Sequence, residues 1–74
     1  MKLSKTTEGR TYMLIDVGED PHFVRRAGSM GLVPDTEIRV IRSQRKMPIL
    51  IFARDTLIAI NRKDSEKIEV KPNV

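Results

Sequence analysis

The chain has no cysteine, no tryptophan and one histidine, His22, among 74 residues. Without cysteine there is no disulfide, no thiolate metal ligand and no thiol chemistry. Small secreted domains lean on disulfides, so this lack favours a reducing, cytoplasmic setting. Aromatic residues are as scarce: Tyr12, Phe23 and Phe52 are the whole supply. A single-strand nucleic-acid binder stacks bases on such rings, and with Phe23 in a core at most two platforms remain. Long hydrophobic runs are missing too. The longest, Ile49 to Ala53, is far below the roughly 20 residues of a bilayer-spanning helix. The opening Met1-Lys2-Leu3-Ser4-Lys5 has no apolar run behind it and does not read as a secretion signal. These absences describe a soluble protein.

Seventy-four residues make one domain, with the thin core that a short chain can bury. Glycine and proline stand singly, and no linker, repeat or low-complexity tract appears. The net charge is +4, from 14 Lys and Arg against 10 Asp and Glu. That value is ordinary for a small domain, where roughly 2 to 8 units are usual. Acids also interleave with bases, as in Asp35-Thr36-Glu37-Ile38-Arg39, which dilutes a one-sign field.

Arg10 to Val17 reads as a first strand, rich in β-formers. Placing Asp16 toward water puts Tyr12 and Leu14 outside with it, and Met13, Ile15 and Val17 inside. Asp20-Pro21 then starts a helix over His22 to Met30: Asp20 accepts from a free amide and Pro21 needs no partner for its nitrogen. Phe23, Ala27 and Met30 form its inward stripe, with Arg25, Arg26 and Ser29 outside. Gly31 ends the helix in the left-handed conformation and Pro34 prevents continuation. The period of two follows. Ile38 and Val40 share a face, then Ile49, Ile51 and Ala53, then Ile58 and Ile60, with Gln44 to Met47 as a polar hairpin tip. Arg62 to Lys67 is expected to be a single 3₁₀-like turn, and Ile68 and Val70 a last strand. Five short strands with one small helix predict a mainly β, five-stranded SH3-like barrel. Closure buries one face of each strand and shields its edges. The barrel core is placed at about residues 9–71, in a single domain over 1–74, with a short flexible tail over 72–74.

Gly9, the run Arg25 to Pro34, Pro48-Ile49-Leu50-Ile51, Leu57-Ile58-Ala59-Ile60 and Ile68-Glu69-Val70 together resemble the FeoA family over nearly the whole chain. Each piece is built of structural residue types; order and spacing carry the likeness. The chain departs from the family pattern in four places. Asp35 stands for the usual Gly after Pro, Ala27 for Leu and Asn61 for Arg, and the loop Ser43 to Met47 lacks its Gly. The resemblance implies a non-enzymatic cytosolic accessory protein of bacterial ferrous-iron uptake that binds the membrane transporter FeoB. Related SH3-like domains end metal-dependent repressors, so a free-standing interaction domain of that kind is an alternative.

No catalytic constellation is legible. His22 sits at a solvated turn, and Ser4, Ser29, Ser43 and Ser65 have no evident base. Gly28-Ser29-Met30-Gly31 lacks the spacing and the lysine of a phosphate loop. Glu19, Asp20 and His22 are ligand types but fall short of a closed set of four, so no metal site and no cofactor is expected. Arg39, Arg42, Arg45 and Lys46 on one hairpin keep a nucleic-acid-binding small barrel open as a second alternative. Leu50 and Phe52 are left over. With Ile49, Ile51 and Ala53 inward, these two face outward together, extended by Tyr12 or Leu14 if the first strand lies near. Either this is a contact surface or the helix folds over it. Leu50 and Phe52 are therefore the expected apolar partner contacts, with Arg25 and Arg26 as polar complements.

Overall fold

The computed structural model describes residues 1–73. A 3₁₀ turn at Leu3–Lys5 precedes strand β1 (Thr11–Asp16) and helix α1 (Pro21–Ser29). Strands β2 (Glu37–Arg42), β3 (Ile49–Ala53) and β4 (Thr56–Ile60) follow, then the short helix α2 (Arg62–Ser65) and strand β5 (Glu69–Pro72). The strands form one antiparallel sheet in the order β4-β3-β2-β1-β5. It is the five-stranded barrel-type fold expected, with α2 joining the two outer strands, β4 and β5.

The inward faces of β2 to β5 are built as the alternation requires. Ile38, Val40, Ile49, Ile51, Ala53, Ile58, Ile60 and Val70 are buried, with Ile68 just before β5. Leu3, from the 3₁₀ turn, and Leu32, from the turn after α1, join this cluster.

Strand β1 reverses the expected parity. Tyr12 and Leu14 are buried, while Ile15 is 44% exposed. The cause is a bulge: Leu14 pairs with Val70 and Asp16 with Glu69, so Ile15 is an extra residue with no partner of its own. An extra residue shifts the pleat by one position. Asp16 does face water and Val17 is buried, but alternation counted back from them fails on crossing Ile15. The buried Tyr12 keeps its hydroxyl satisfied, because the Thr7 amide donates to it over 2.9 Å.

Helix α1 follows the cap logic. The Asp20 carboxylate accepts from the His22 amide at 3.1 Å, and Pro21 takes the first helical position. At the other end Gly31 lies at φ 86°. The Leu32 amide donates to the Ala27 carbonyl at 2.8 Å and the Gly31 amide to Gly28 at 3.0 Å. This paired closure satisfies two end carbonyls and turns Leu32 into the core. Asp35, where the family pattern has Gly, is also left-handed at φ 73°. Its amide donates to the Leu14 carbonyl at 2.8 Å, which stitches the turn to β1.

Two further expectations change. Arg62–Ser65 is a short α-helix rather than a 3₁₀ turn. Asn61 makes this possible by accepting from the Asp64 amide at 2.8 Å, a side-chain cap on a segment too short to hold itself. Strand β5 runs one residue past the core bound placed at about 71: Pro72 pairs with Tyr12, and the Asn73 amide donates to the Thr11 carbonyl at 3.1 Å. Val74 lies outside the described residues.

Candidate functional site

Strands β2, β3 and β4 carry side chains in two rows on their outer face. Arg39, Phe52 and Leu57 lie opposite one another in one row; Arg42, Leu50 and Ala59 form the next. A bulge on β2, with Ile41 unpaired between Val40 and Arg42, keeps both arginines on this face after the inward pair Ile38 and Val40. Phe52 is 40% exposed and Leu57 59%, while Leu50 is half-buried between Arg42 and Ala59.

Helix α1 does not cover Phe52 or Leu57. It directs Phe23 and Ala27 into the core cluster instead. Tyr12 and Leu14 do not extend the face either, since both point inward. Leu57 extends it. The sequence held that signal: two residues separate Ala53 from Thr56, and a two-residue hairpin sets Leu57 directly beside Phe52.

That hairpin turns through Arg54 at φ 51° and Asp55 at φ 61°, both left-handed without glycine. Beside it lies an open cleft of about 490 Å³ bordered by Asp35, Glu37, Arg39, Phe52, Arg54 and Asp55. Charges of both signs meet there around one aromatic ring.

The two helical arginines separate. Arg26 is ion-paired to Asp64 of α2 at 2.8 Å, and its guanidinium sits 5.4 Å from the Phe23 ring centroid. It borders a groove of about 300 Å³ between α1 and β4, together with Met30, Pro48 and Ala59. Arg26 is thus next to the outer face but already engaged. Arg25 is exposed on α1 and makes no ion pair among the described residues.

Sequence reasoning missed Arg62. Its guanidinium donates to the carbonyls of Met47 (2.9 Å), Ser4 (3.5 Å) and Gln44, and to the Ser43 hydroxyl (3.4 Å). One side chain thereby ties α2 to the β2–β3 loop and to the 3₁₀ turn. All its acceptors are backbone or hydroxyl oxygens, which composition cannot reveal.

Glu19, Asp20 and His22 do not assemble. Among the described residues no group of three or more His, Asp or Glu side chains is arranged to hold a metal ion. Asp20 serves its helix: the His22 amide holds its carboxyl below the usual value of 3.8, helped by Lys67 at 3.5 Å. No helix of the described residues is long and apolar enough to cross a membrane.

Residues 1–72 match the family model described as FeoA domain. No curated protein matches the chain by sequence. Among solved structures, FeoA from Chlorobium tepidum is 28% identical, with a TM-score of 0.91 over 100% of this chain and 71% of that one. FeoA of Stenotrophomonas maltophilia, solved with zinc, is 20% identical, with a TM-score of 0.82 over 96% of this chain and 89% of that one. That protein is described as a prokaryotic SH3 domain protein and a candidate ferrous-iron transport activating factor. A manganese-dependent transcriptional repressor is 17% identical and aligns with a TM-score of 0.88 over all of this chain but 41% of its own, a likeness of fold. With the family model spanning all but its last two residues, and the whole chain superposing on a FeoA structure, the chain belongs to the FeoA family.

Proposed function

We propose that this protein is a non-enzymatic accessory factor of ferrous-iron uptake that binds the cytosolic surface of a FeoB-type transporter through the outer face of β2–β3–β4. The observation that carries this reading is the apolar block Leu50, Phe52 and Leu57 beside Arg39 and Arg42. Phe52 and Leu57 are exposed, Leu50 is half-buried, and none of the three belongs to the core cluster. Exposed apolar side chains clustered in this way, rather than scattered, mark contact surfaces. Family membership supplies the transport context. Polar side chains that could have suggested chemistry are occupied with structure: Asp20 and Asn61 cap helices, Ser65 donates to the Arg62 carbonyl, and Thr6 to that of Leu3. Arg25 supplies the free positive charge on the neighbouring helix.

The test is association with the transporter in a pull-down from detergent extract, comparing the natural chain with Leu50→Glu combined with Phe52→Glu. Two carboxylates on the face should abolish capture while leaving the fold intact, because neither side chain belongs to the buried cluster. Undiminished capture by a folded variant would remove this face from the proposal. The likeness to the repressor domain favours a second reading, a free-standing interaction module that self-associates. Sedimentation of the purified chain over a concentration series separates the two: concentration-dependent growth in mass supports the module, a constant monomer mass the accessory factor.

A further inference from the structure

The positive charge of the chain is not spread evenly over the molecule. A hollow of about 400 Å³ lies where the 3₁₀ turn, the β2–β3 loop and α2 meet. Four cations, Lys5, Arg45, Lys46 and Arg62, border it against one carboxylate, Glu66. None of the five makes an ion pair among the described residues. The other acid at this loop, Glu8, is turned to the Ser43 amide, which donates to it at 2.7 Å.

Arg62 builds this hollow. By holding the carbonyls of Gln44 and Met47 and reaching toward Ser4 and Ser43, it gathers three distant segments around its half-buried guanidinium. Every one of those acceptors is neutral, so its charge is left uncompensated. Around it the side chains of Lys5, Arg45 and Lys46 donate to nothing among the described residues. Arg45 and Lys46 are the tip of a turn that the Met47 amide closes on the Gln44 carbonyl at 3.2 Å, and their own amides have no backbone acceptor there. The Ser43 hydroxyl accepts from Arg62 and keeps its hydrogen to give. No aromatic ring borders the hollow: Tyr12 and Phe23 are buried, and Phe52 belongs to the cleft beside the β3–β4 hairpin.

We infer that this hollow binds the phosphoryl groups of a small phosphorylated ligand, with a diphosphate as the group that suits it. Unpaired cations from three segments call for an anion with several oxygens and more than one charge, which a lone carboxylate is not. Arginine and lysine are the two usual partners of phosphate, one as a planar fork and the other as a point charge. The volume falls in the range of small-molecule sites, roughly 300 to 1,000 Å³. The missing ring argues against a single-stranded nucleic acid, which binds by stacking as well as by charge. Glu66 opposes any anion here and so limits affinity. The hollow shares no residue with the outer-face row of Leu50, Phe52 and Leu57, and the inference does not depend on the protein partner proposed above.

The experiment titrates the isotope-labelled full chain with inorganic diphosphate and follows amide shifts, with sodium chloride at matched ionic strength as the control. Diphosphate should give saturable shifts at Lys5, at Arg45 and Lys46 and at Arg62, and chloride should not. Lys5→Ala and Lys46→Ala should each weaken binding by about fivefold, the upper range for one exposed charge contact. Neither side chain bonds to the rest of the fold, so both variants should keep the natural spectrum elsewhere. Glu66→Gln should tighten binding by a similar factor. Lys71→Ala, on β5 and outside the hollow, lowers the net charge equally and should leave binding unchanged. If Lys71→Ala weakens it as much as Lys46→Ala, or if chloride reproduces the shifts, the molecule attracts anions by diffuse charge and the site is refuted. An oligothymidylate that binds the same residues more tightly than diphosphate would overturn the small ligand in favour of a nucleic acid. Sedimentation with vesicles of phosphatidylcholine and phosphatidylglycerol in equal parts identifies the source of the phosphoryl group. Capture that diphosphate releases puts a lipid headgroup in the hollow, and no capture assigns it a free ligand. Neither result bears on transporter capture by the outer face, which Leu50→Glu with Phe52→Glu tests separately.

Discussion

Replacing Arg62 with alanine removes a brace that holds three segments together. A guanidinium has five N–H donors, and here it reaches Met47, Gln44, Ser4 and Ser43. The contacts at 3.5 and 3.4 Å, to Ser4 and Ser43, are long enough to count for little. The bonds to Met47 and Gln44 carry the brace. Water can replace Arg62 at these exposed carbonyls, so each bond is worth about 1 kcal/mol, near the middle of the net range rather than the charged-donor maximum. Arg62→Ala should therefore destabilise the domain by about 2 kcal/mol, a large share for so small a core. For a domain of this length that lowers Tm by roughly 8–16 °C. Arg62→Lys keeps the charge but not the planar fork, so it should recover no more than about half. Urea denaturation followed by circular dichroism measures both, with an unchanged slope marking a pure stability effect. A loss below about 0.5 kcal/mol for Arg62→Ala, the level of an ordinary surface substitution, would show that the loop and α2 hold their places without it.

Two further expectations test the register and the first helix cap. Leu14→Ala should cost about 2–5 kcal/mol as a core truncation, while Ile15→Ala beside it should stay under about 1 kcal/mol; equal losses on thermal melting would refute the bulge. Asp20→Asn should lower Tm at neutral pH, because the folded carboxyl has its pKa below the usual 3.8 and so stabilises the fold above that value. That stability is lost as pH falls through the folded pKa, so the natural and variant melting curves should converge in acid once the folded carboxyl is protonated; a gap that stays constant as the pH is lowered would show that Asp20 acts by something other than its charge.

The sequence disclosed whatever depended on a repeating period. The inward sets of β2, β3 and β4 follow alternation without interruption up to Val40, and Asp20, Pro21 and Gly31 punctuate α1 through local chemistry. What it concealed came from single residues that break a period. Ile15 adds one position to β1, and one position is enough to turn Tyr12 and Leu14 from water to core. Ile41 does the same on β2 and keeps Arg42 on the face of Arg39. The outer face was visible in half: Leu50 and Phe52 stood out as surplus apolar residues, but Leu57 becomes their neighbour only when the hairpin register is known. Arg62 was beyond reach because nothing in an arginine codon names three carbonyls from distant segments. Asp35 was a different case. It departs from the family's glycine yet keeps the left-handed backbone, at a strain that a short polar side chain tolerates better than most.

The strand order β4-β3-β2-β1-β5 also sets a sequence of events in time. Strands β2, β3 and β4 are neighbours along the chain and can zip through short loops. The β1–β5 seam joins opposite ends of the molecule, as Leu14 against Val70 shows. Closing so long a loop costs about 2 kcal/mol more entropy than closing a hairpin, so the seam forms late and slows folding. The three-stranded meander therefore exists for a time with both its outer strands bare. Of these, β2 is then covered by β1 from within the chain. Among the described residues no strand pairs with the outer side of β4, so the edge left open in the finished sheet is also the one that has been open longest.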